Sequence, residues 1–260
     1  VSWTKRIFFM FIIIIAGCGM GNTMNEEVDT MQKNAQVQSV EERPEAVNNG
    51  QLAKQYPDTV FLSGPKDEKK IALTFDDGPD PRVTGDLLDV LAEEKVPATF
   101  FLMGVRVDRY PDLVKRMVDE GHTIGSHGYW HNPLINLSNR EAQADLEKAN
   151  QAIFRAVNQE TSLYRPPFGS LNEEKVEMLK ELGYSVIIWS VDSEDWKASP
   201  PDEIAEKVIE DVRPGSIILH HDGANWNIDL SGTVTAVQKE IKELKKRGYT
   251  FVTVPELLGL

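Results

Sequence analysis

Five short segments of the 260-residue chain concentrate acids, histidines and an arginine. They are Asp76-Asp77-Gly78-Pro79, His127-Gly128-Tyr129-Trp130-His131, Arg165-Pro166-Pro167-Phe168-Gly169, Asp192-Ser193-Glu194-Asp195-Trp196 and Leu219-His220-His221-Asp222. Two imidazoles four residues apart can face one metal ion when the segment between them turns helically. A carboxylate from elsewhere then completes a three-ligand site with an open position, and Asp77 can supply it. Adjacent side chains at an extended strand end point to opposite sides. One of Asp76 and Asp77 can therefore bind metal while the other faces a substrate water. Taken singly, each feature has an ordinary explanation. Two histidines at this spacing often lie on a surface or cap an element, and Asp-Asp-Gly makes a turn. An arginine such as Arg165 commonly sits in a surface ion pair, and a tryptophan such as Trp196 packs in a core. The segments gain meaning only if the fold collects them in one place.

The intervening elements predict that it does. Strand-like runs fall at residues 70–77, 98–104, 122–127, 163–167, 184–191, 216–221 and 250–254. Helical spacing falls between them, at 84–95, 108–120, 139–158, 172–182, 202–212 and 231–247. In the last of these Val234, Val237, Ile241 and Leu244 stripe one face. Strict alternation with apolar strands implies a parallel sheet covered by helices. Both an open doubly wound sheet and a closed barrel satisfy that pattern. The candidate residues follow five different strands, and barrel enzymes gather catalytic groups from many strand C-termini at one face. The expectation is a single-domain α/β fold, a distorted (β/α) barrel with about seven parallel strands. Strand alternation also turns His220 away from His221, which gives His220 a structural role.

These segments resemble the five motifs of the polysaccharide deacetylases of carbohydrate esterase family 4. Thr74-Phe75-Asp76-Asp77-Gly78-Pro79 is similar to the first motif and His127 to His131 to the second. Arg165 to Gly169, Asp192 to Trp196 and Leu219-His220-His221 follow in order as the third, fourth and fifth. The resemblance implies that Asp77, His127 and His131 bind a divalent metal, most commonly Zn²⁺, with Co²⁺ or another transition metal as the alternative. It implies that Asp76 is the general base and that Arg165 keeps it ionised and in position. It makes His221 the general acid for the leaving amine, with Asp195 orienting it. Trp196 and Leu219 then wall the acetyl pocket, and the Phe168 backbone N–H holds the oxyanion. Amide hydrolysis needs a nucleophile, oxyanion stabilisation and a protonated leaving nitrogen, and these roles supply all three. One departure stands out. Gly128 occupies a position where the family usually has Ser or Thr, whose hydroxyl supports the loop, so loop rigidity is in question and the ligand set is not. Asn132-Pro133, rather than proline alone, follows His131 and reshapes the groove rim. Tyr129 and Trp130 suit sugar stacking and loop packing equally.

Composition narrows the function classes. The chain carries 28 Lys+Arg against 41 Asp+Glu, a formal net charge of −13. That balance, with no basic stripe, disfavours nucleic-acid binding. A single cysteine excludes an internal disulfide framework and a Cys-based zinc cluster. Lys5 and Arg6 precede nine apolar residues, 7–15. A bilayer span takes roughly 20, so residues 1–17 read as a signal segment. Ile15-Ala16-Gly17-Cys18 resembles a bacterial lipobox, in which the chain is cut before the cysteine and Cys18 carries lipid. The mature chain would hold 26 cations against 41 acids, a charge of −15. Residues 18–65 read as a flexible tether, part of it near 59–62 packing on the domain, and residues 66–260 as the deacetylase domain. Export also implies a reaction without ATP or NAD. Asn136-Leu137-Ser138 matches a glycosylation sequon by chance in a bacterial chain.

The expected protein is a monomeric, metal-dependent hydrolase, lipid-anchored to the bacterial cell membrane and extracytoplasmic. It removes N-acetyl groups from N-acetylglucosamine units of peptidoglycan or a chitooligosaccharide. An O-deacetylase of acetylated xylan would use the same catalytic set. A sugar-binding lipoprotein without catalysis would need neither the Asp-Asp pair nor two spaced histidines, and an inactive descendant sits poorly with intact Asp76 and His221. If Cys18 carries the anchor, Cys18→Ser is expected to leave the membrane fraction. Retention there at the wild-type level, measured by fractionation and immunoblotting, would refute the lipobox reading.

Overall fold

A computed structural model describes residues 48–260. The expected signal segment, Cys18 and the first part of the expected tether lie outside the described residues. Among the described residues no helix is long and apolar enough to cross a membrane.

The strands are β1 (Val60–Phe61), β2 (Lys70–Asp76), β3 (Thr99–Leu102), β4 (Thr123–Ser126), β5 (Leu163–Tyr164), β6 (Ser185–Ile187), β7 (Val191–Asp192), β8 (Ile217–His221) and β9 (Thr250–Phe251). All pair in parallel, in the order β1-β6-β5-β4-β3-β2-β8-β7, with β9 against the start of β2. From β2 to β6 each new strand joins on the same side, as in a barrel, with no reversal of direction.

The connection from β6 to β7 forces the sheet to curl. Six strand spacings separate these two strands along the sheet, roughly 29 Å if it were flat. Residues 188–190 alone join them, and the four peptide steps from Ile187 to Val191 reach at most about 14 Å. The sheet must therefore bend round until its two ends approach. This is the distorted (β/α) barrel expected from the placement of candidate residues after five different strands. The single strand expected at 184–191 is broken because the chain crosses the remaining opening there.

Inside the stretch expected to be tether, α1 (Asn49–Gln55) and β1 are folded, and Leu52 and Val60 are buried. The domain thus starts ahead of the expected boundary at residue 66. The other helices are α2 (Thr84–Glu94), α3 (Gly104–Arg109), α4 (Pro111–Asp119), α5 (Asn139–Val157), α6 (Glu173–Glu181), α7 (Pro201–Asp211), α8 (Ser231–Lys246) and α9 (Val254–Leu258). The helix expected over 108–120 is two helices, because Pro111 starts a new one at its first turn. The longest, α5, opens with a capping box in which Ser138 and Glu141 satisfy each other's backbone N–H groups.

Alternation along β2 separates two cores. Ile71, Leu73 and Phe75 face outward and join Leu87, Leu88, Leu91, Phe100 and Ile241 under the helices. Ala72 faces inward with Phe101, Leu163, Ile187 and Ile217, and Val252, Val254 and Leu257 fill the same core. That plug leaves the inward positions at the strand C-termini for polar groups. On β8, His220 is fully buried, with Nε2 3.1 Å from Glu240 Oε1 on α8. It is the structural histidine that alternation requires. Glu240→Leu is expected to strand that imidazole and to destabilise the fold by about 1–3 kcal/mol. Urea unfolding of the variant beside wild type measures the difference.

Candidate active site

The site grows from the inward end of β2. Asp76, the last residue of the strand, is buried, and its Oδ1 accepts a 2.7 Å hydrogen bond from Arg165 Nη1. Arg165 is completely buried just after β5. Its Nη1 also donates to Thr74 Oγ1 at 2.7 Å, Nε to the Ile187 carbonyl at 3.1 Å and Nη2 to the Ile188 carbonyl at 3.2 Å. The Phe101 ring lies 4.2 Å from the guanidinium. Arg165 is thus aimed from several sides at one carboxylate oxygen.

Asp77 turns the other way, in the left-handed region at φ 73°. Its Oδ1 lies 3.0 Å from His131 Nε2 and 3.4 Å from His127 Nε2. His127 Nδ1 is 2.7 Å from the Arg165 carbonyl, which orients the ring and leaves Nε2 facing Asp77. One ligand atom from each of the three residues lies within 4.8 Å of the others. Asp77 Oδ1 is buried without a directed hydrogen bond. A carboxylate oxygen and two imidazole nitrogens converging on one point, with the oxygen otherwise orphaned, fit a divalent cation in a three-ligand open site. Burial pushes the Asp77 carboxyl up, but His131 and His127 outweigh it and hold it well below the usual range. Burial lowers His127, and the Asp76 and Asp77 charges reverse that and raise it.

The two histidines do not converge through the helical turn expected. Residues 127–131 form an irregular loop with Gly128 at φ 75° and His131 at φ 63°. Asp145 on α5 holds that loop by accepting the N–H of Tyr129 at 2.7 Å and of Trp130 at 3.3 Å. A Cβ at Gly128 would stand 2.7 Å from Asp145 Oδ2. The glycine therefore admits a carboxylate brace to a loop that lacks a hydroxyl at that position. Tyr129 and Trp130 pack beneath the loop: Tyr129 is buried with its hydroxyl 3.0 Å from Asp108 Oδ2, and Trp130 meets its ring edge-on.

His221 forms the facing wall at the end of β8. Its Nδ1 is 2.7 Å from Asp195 Oδ1, and its backbone N–H donates to Asp195 Oδ2 at 2.9 Å. Thr233 Oγ1 donates to that same oxygen, also at 2.9 Å. Burial would lower the imidazole, but Asp195, with Asp77 and Asp76 behind it, pushes its pKa up to about 10.

A cavity of about 330 Å³ joins the walls. Asp76, Asp77, His127, His131, Phe168, Trp196, Leu219 and His221 line it, while Arg165 and Asp195 stand behind their partners. Every motif residue to which the resemblance assigns a role is therefore at the cavity or one contact from it. Trp189, Asn225, Asn227 and Ile228 complete the lining and were not anticipated, together with Asp192, which was named within the fourth motif but given no role. Asp145 was missed too, although a signal existed. It lies three residues after Ala142 and four before Ala149, an acid on the buried face of α5. Gly78 serves packing as well as the turn, since a Cβ there would meet buried Asp222 Oδ2 at 2.1 Å.

The family model described as polysaccharide deacetylase matches residues 63–187. A peptidoglycan-N-acetylglucosamine deacetylase of Bacillus cereus is 43% identical over 196 residues, 75% of this chain and 90% of that protein. A chitooligosaccharide deacetylase of Rhizobium leguminosarum bv. trifolii is 36% identical, over 75% of this chain and 95% of its own length. The crystal structure of the Bc1960 peptidoglycan N-acetylglucosamine deacetylase superposes with a TM-score of 0.73. It is 37% identical and covers 76% of this chain and 92% of that one.

The Asp195–His221 contact makes a prediction of its own. A pKa raised from about 6.5 to about 10 stabilises the fold fully below the lower value and less as pH rises through the upper one. Asp195→Asn removes the charge but keeps the shape, so the His221 pKa is expected to fall steeply. Titration of the imidazole by NMR tests this, and an unchanged pKa would show that Asp195 does not set it.

Proposed function

The chain belongs to the polysaccharide deacetylase family, and from that premise we propose that it is a metal-dependent amidase removing acetyl from N-acetylglucosamine units of peptidoglycan or a chitin-type glycan. The observation that carries this reading is the pairing of two walls across one cavity: an Arg165-held carboxylate beside a His-His-Asp cluster, facing an Asp195-held histidine. Relatives named for N-acetylglucosamine and chitooligosaccharide deacetylation support the substrate class.

Asp77, His127 and His131 would hold the divalent ion, which we assign as Zn²⁺ with Co²⁺ as the alternative. An ion held there supplies Lewis acidity toward an acetyl carbonyl and toward water. The remaining steps belong to the chain's own side chains. Asp76 has Oδ1 committed to Arg165, so its Oδ2 is the oxygen that takes the proton of the attacking water. His221 has Nδ1 committed to Asp195, so Nε2 gives its proton to the departing nitrogen. The water oxygen bonds to the acetyl carbon, the C–N bond breaks, and acetate and a free amine leave. Proton transfer by a placed side chain is worth roughly 10²–10⁴-fold. Leu219 and the half-exposed Trp196 bound the space for the acetyl methyl, and the Phe168 N–H is assigned to the oxyanion. An amine is expelled only when protonated, and His221, held by Asp195, is the group placed to protonate it; the relatives named for N-acetylglucosamine and chitooligosaccharide deacetylation are what favour the amide over the ester. The lipobox-like Ile15-Ala16-Gly17-Cys18 supports an enzyme outside the cytoplasm, lipid-anchored through Cys18, which we take to be monomeric.

Acetate release from chitooligosaccharides, peptidoglycan and acetylxylan by the metal-loaded protein tests the substrate class. Release from acetylxylan alone would replace the amide reading with the ester one. The adjacent aspartates give a sharper test. Asp76→Asn is expected to keep its metal and lose roughly 10²–10⁴ in kcat. Asp77→Asn is expected to lose metal affinity, with partial rescue by added Zn²⁺. Elemental analysis beside kcat decides, and metal-free Asp76→Asn with metal-replete Asp77→Asn would exchange the two roles.

A further inference from the structure

Beyond the catalytic cavity the rim carries a second hollow. It measures about 220 Å³ and is lined by Arg82, Val83, Trp226, Asn227, Ile228 and Leu230, with Asp229 at its side. Asn227 and Ile228 also line the catalytic cavity, so the two spaces adjoin at that pair. The Trp226 side chain is 54% exposed. A single exposed tryptophan is ordinary on a protein surface, but this one is held in place.

The Arg82 guanidinium lies 4.6 Å from the Trp226 ring centroid, covering one face of the indole. That guanidinium is itself anchored, with Nε and Nη2 donating to the Asp80 carboxylate at 3.0 and 2.6 Å. Arg82 also grips the loop that bears the indole, donating from Nη1 to the Trp226 carbonyl at 3.1 Å and from Nη2 to the Ala224 carbonyl at 3.1 Å. Arg106 bridges the same pair of anchors, to Asp80 Oδ2 at 3.1 Å and to the Ala224 carbonyl at 2.7 Å. Two arginines and one buried carboxylate thus hold a large flat apolar surface in the open, one residue from the cavity lining.

A pyranose ring in an extended glycan offers such a surface its complement. Its axial C–H groups form an apolar face that packs on an aromatic ring, while its rim of hydroxyl and acetamide groups suits the amide of Asn227 and the carboxylate of Asp229. A glycan whose acetamide enters the catalytic cavity continues on either side of that sugar, so its next units must cross the cavity rim. We propose that this hollow is a glycan subsite, in which Trp226 stacks against a sugar flanking the one whose acetamide enters the catalytic cavity. The proposal rests on the glycan deacetylase reading and adds a determinant of the chain length accepted.

Kinetics on N-acetylglucosamine and on N-acetylated chitooligosaccharides from dimer to hexamer, with wild type, Trp226→Ala and Trp226→Phe, test it. The wild-type to Trp226→Ala ratio of kcat/KM is expected to grow about three- to tenfold from the monomer, which leaves the subsite empty, to the oligomers, which fill it, the size of one aromatic stacking contact. The growth should fall in KM, and Trp226→Phe should recover part of it. Calorimetric binding of the hexamer to metal-free protein supplies a second readout, weaker in Trp226→Ala. A loss independent of length would make Trp226 a structural residue of the loop and overturn the subsite. An active wild type with unchanged kinetics in Trp226→Ala would overturn it and leave the deacetylase reading intact. A wild type that binds the hexamer through Trp226 yet releases no acetate would sink the deacetylase reading and keep the subsite. Neither binding nor turnover of any oligomer would overturn both for chitin-type chains.

Discussion

The buried ion pair between Arg165 and Asp76 is the constraint on which the rest of the active end depends. A guanidinium with no exposed surface is costly unless every direction is answered, and removing the partner of such a charge typically costs about 3–5 kcal/mol. The barrel answers it with an aromatic face from β3, a hydroxyl and a carboxylate from β2, and two carbonyls at and just past the end of β6. Thr74 passes the link on to the Ile218 carbonyl of β8 at 2.6 Å. The pair therefore ties together strands distant in sequence at the level where the apolar plug stops. The Arg165 carbonyl in turn orients His127, so the same residue sets the base and one imidazole of the cluster.

Each wall repeats one arrangement. A reactive group has one atom bound to a buried partner and its other atom turned to the cavity. Asp76 is held by Arg165 and His221 by Asp195, and Asp195 is itself held by Thr233 and a backbone N–H. A cationic partner holds the carboxylate and an anionic partner holds the imidazole, so one wall presents an atom placed to accept a proton and the other an atom placed to donate one. The walls come from opposite sides of the β2–β8 pair, so their separation is set by strand spacing and needs no flexible loop.

Backbone strain gathers at the same place. Asp77, His131, Phe168 and Glu194 all adopt positive φ, a conformation that L-residues other than glycine reach at a cost of about 1–3 kcal/mol. Each lies within one of the five motif segments. Hydrogen bonds and packing over-determine them, as the Asp145 brace does beneath His131 and the edge contact of His131 with Phe168 does beside it, ring centroids 4.7 Å apart. The turns that aim these side chains are thus held by residues remote in the chain.

What the sequence determined by itself was local or repetitive. Period-two and period-3.6 apolar patterns announced the alternating strands and helices, and short motifs after the strands named the residues that now surround the cavity. Alternation alone sent His220 outward and His221 inward. Pairing partners and through-space neighbours belonged to the tertiary structure. Val60 and Phe61 become a strand only because β6 offers them an edge, and no periodicity shows in two residues. The break at residues 188–190 exists because a curled sheet must be crossed, a constraint on the whole barrel that a predominantly apolar run hides. The His127–His131 loop takes its shape from Asp145, a carboxylate fourteen residues beyond His131 whose partners are backbone N–H groups that carry no mark in the side-chain sequence. Trp226 is set beside the cavity by Arg82 and Arg106, more than a hundred residues earlier in the chain. Side-chain chemistry and local period are written in the order of residues, whereas contacts across a closed sheet depend on how the chain returns to itself.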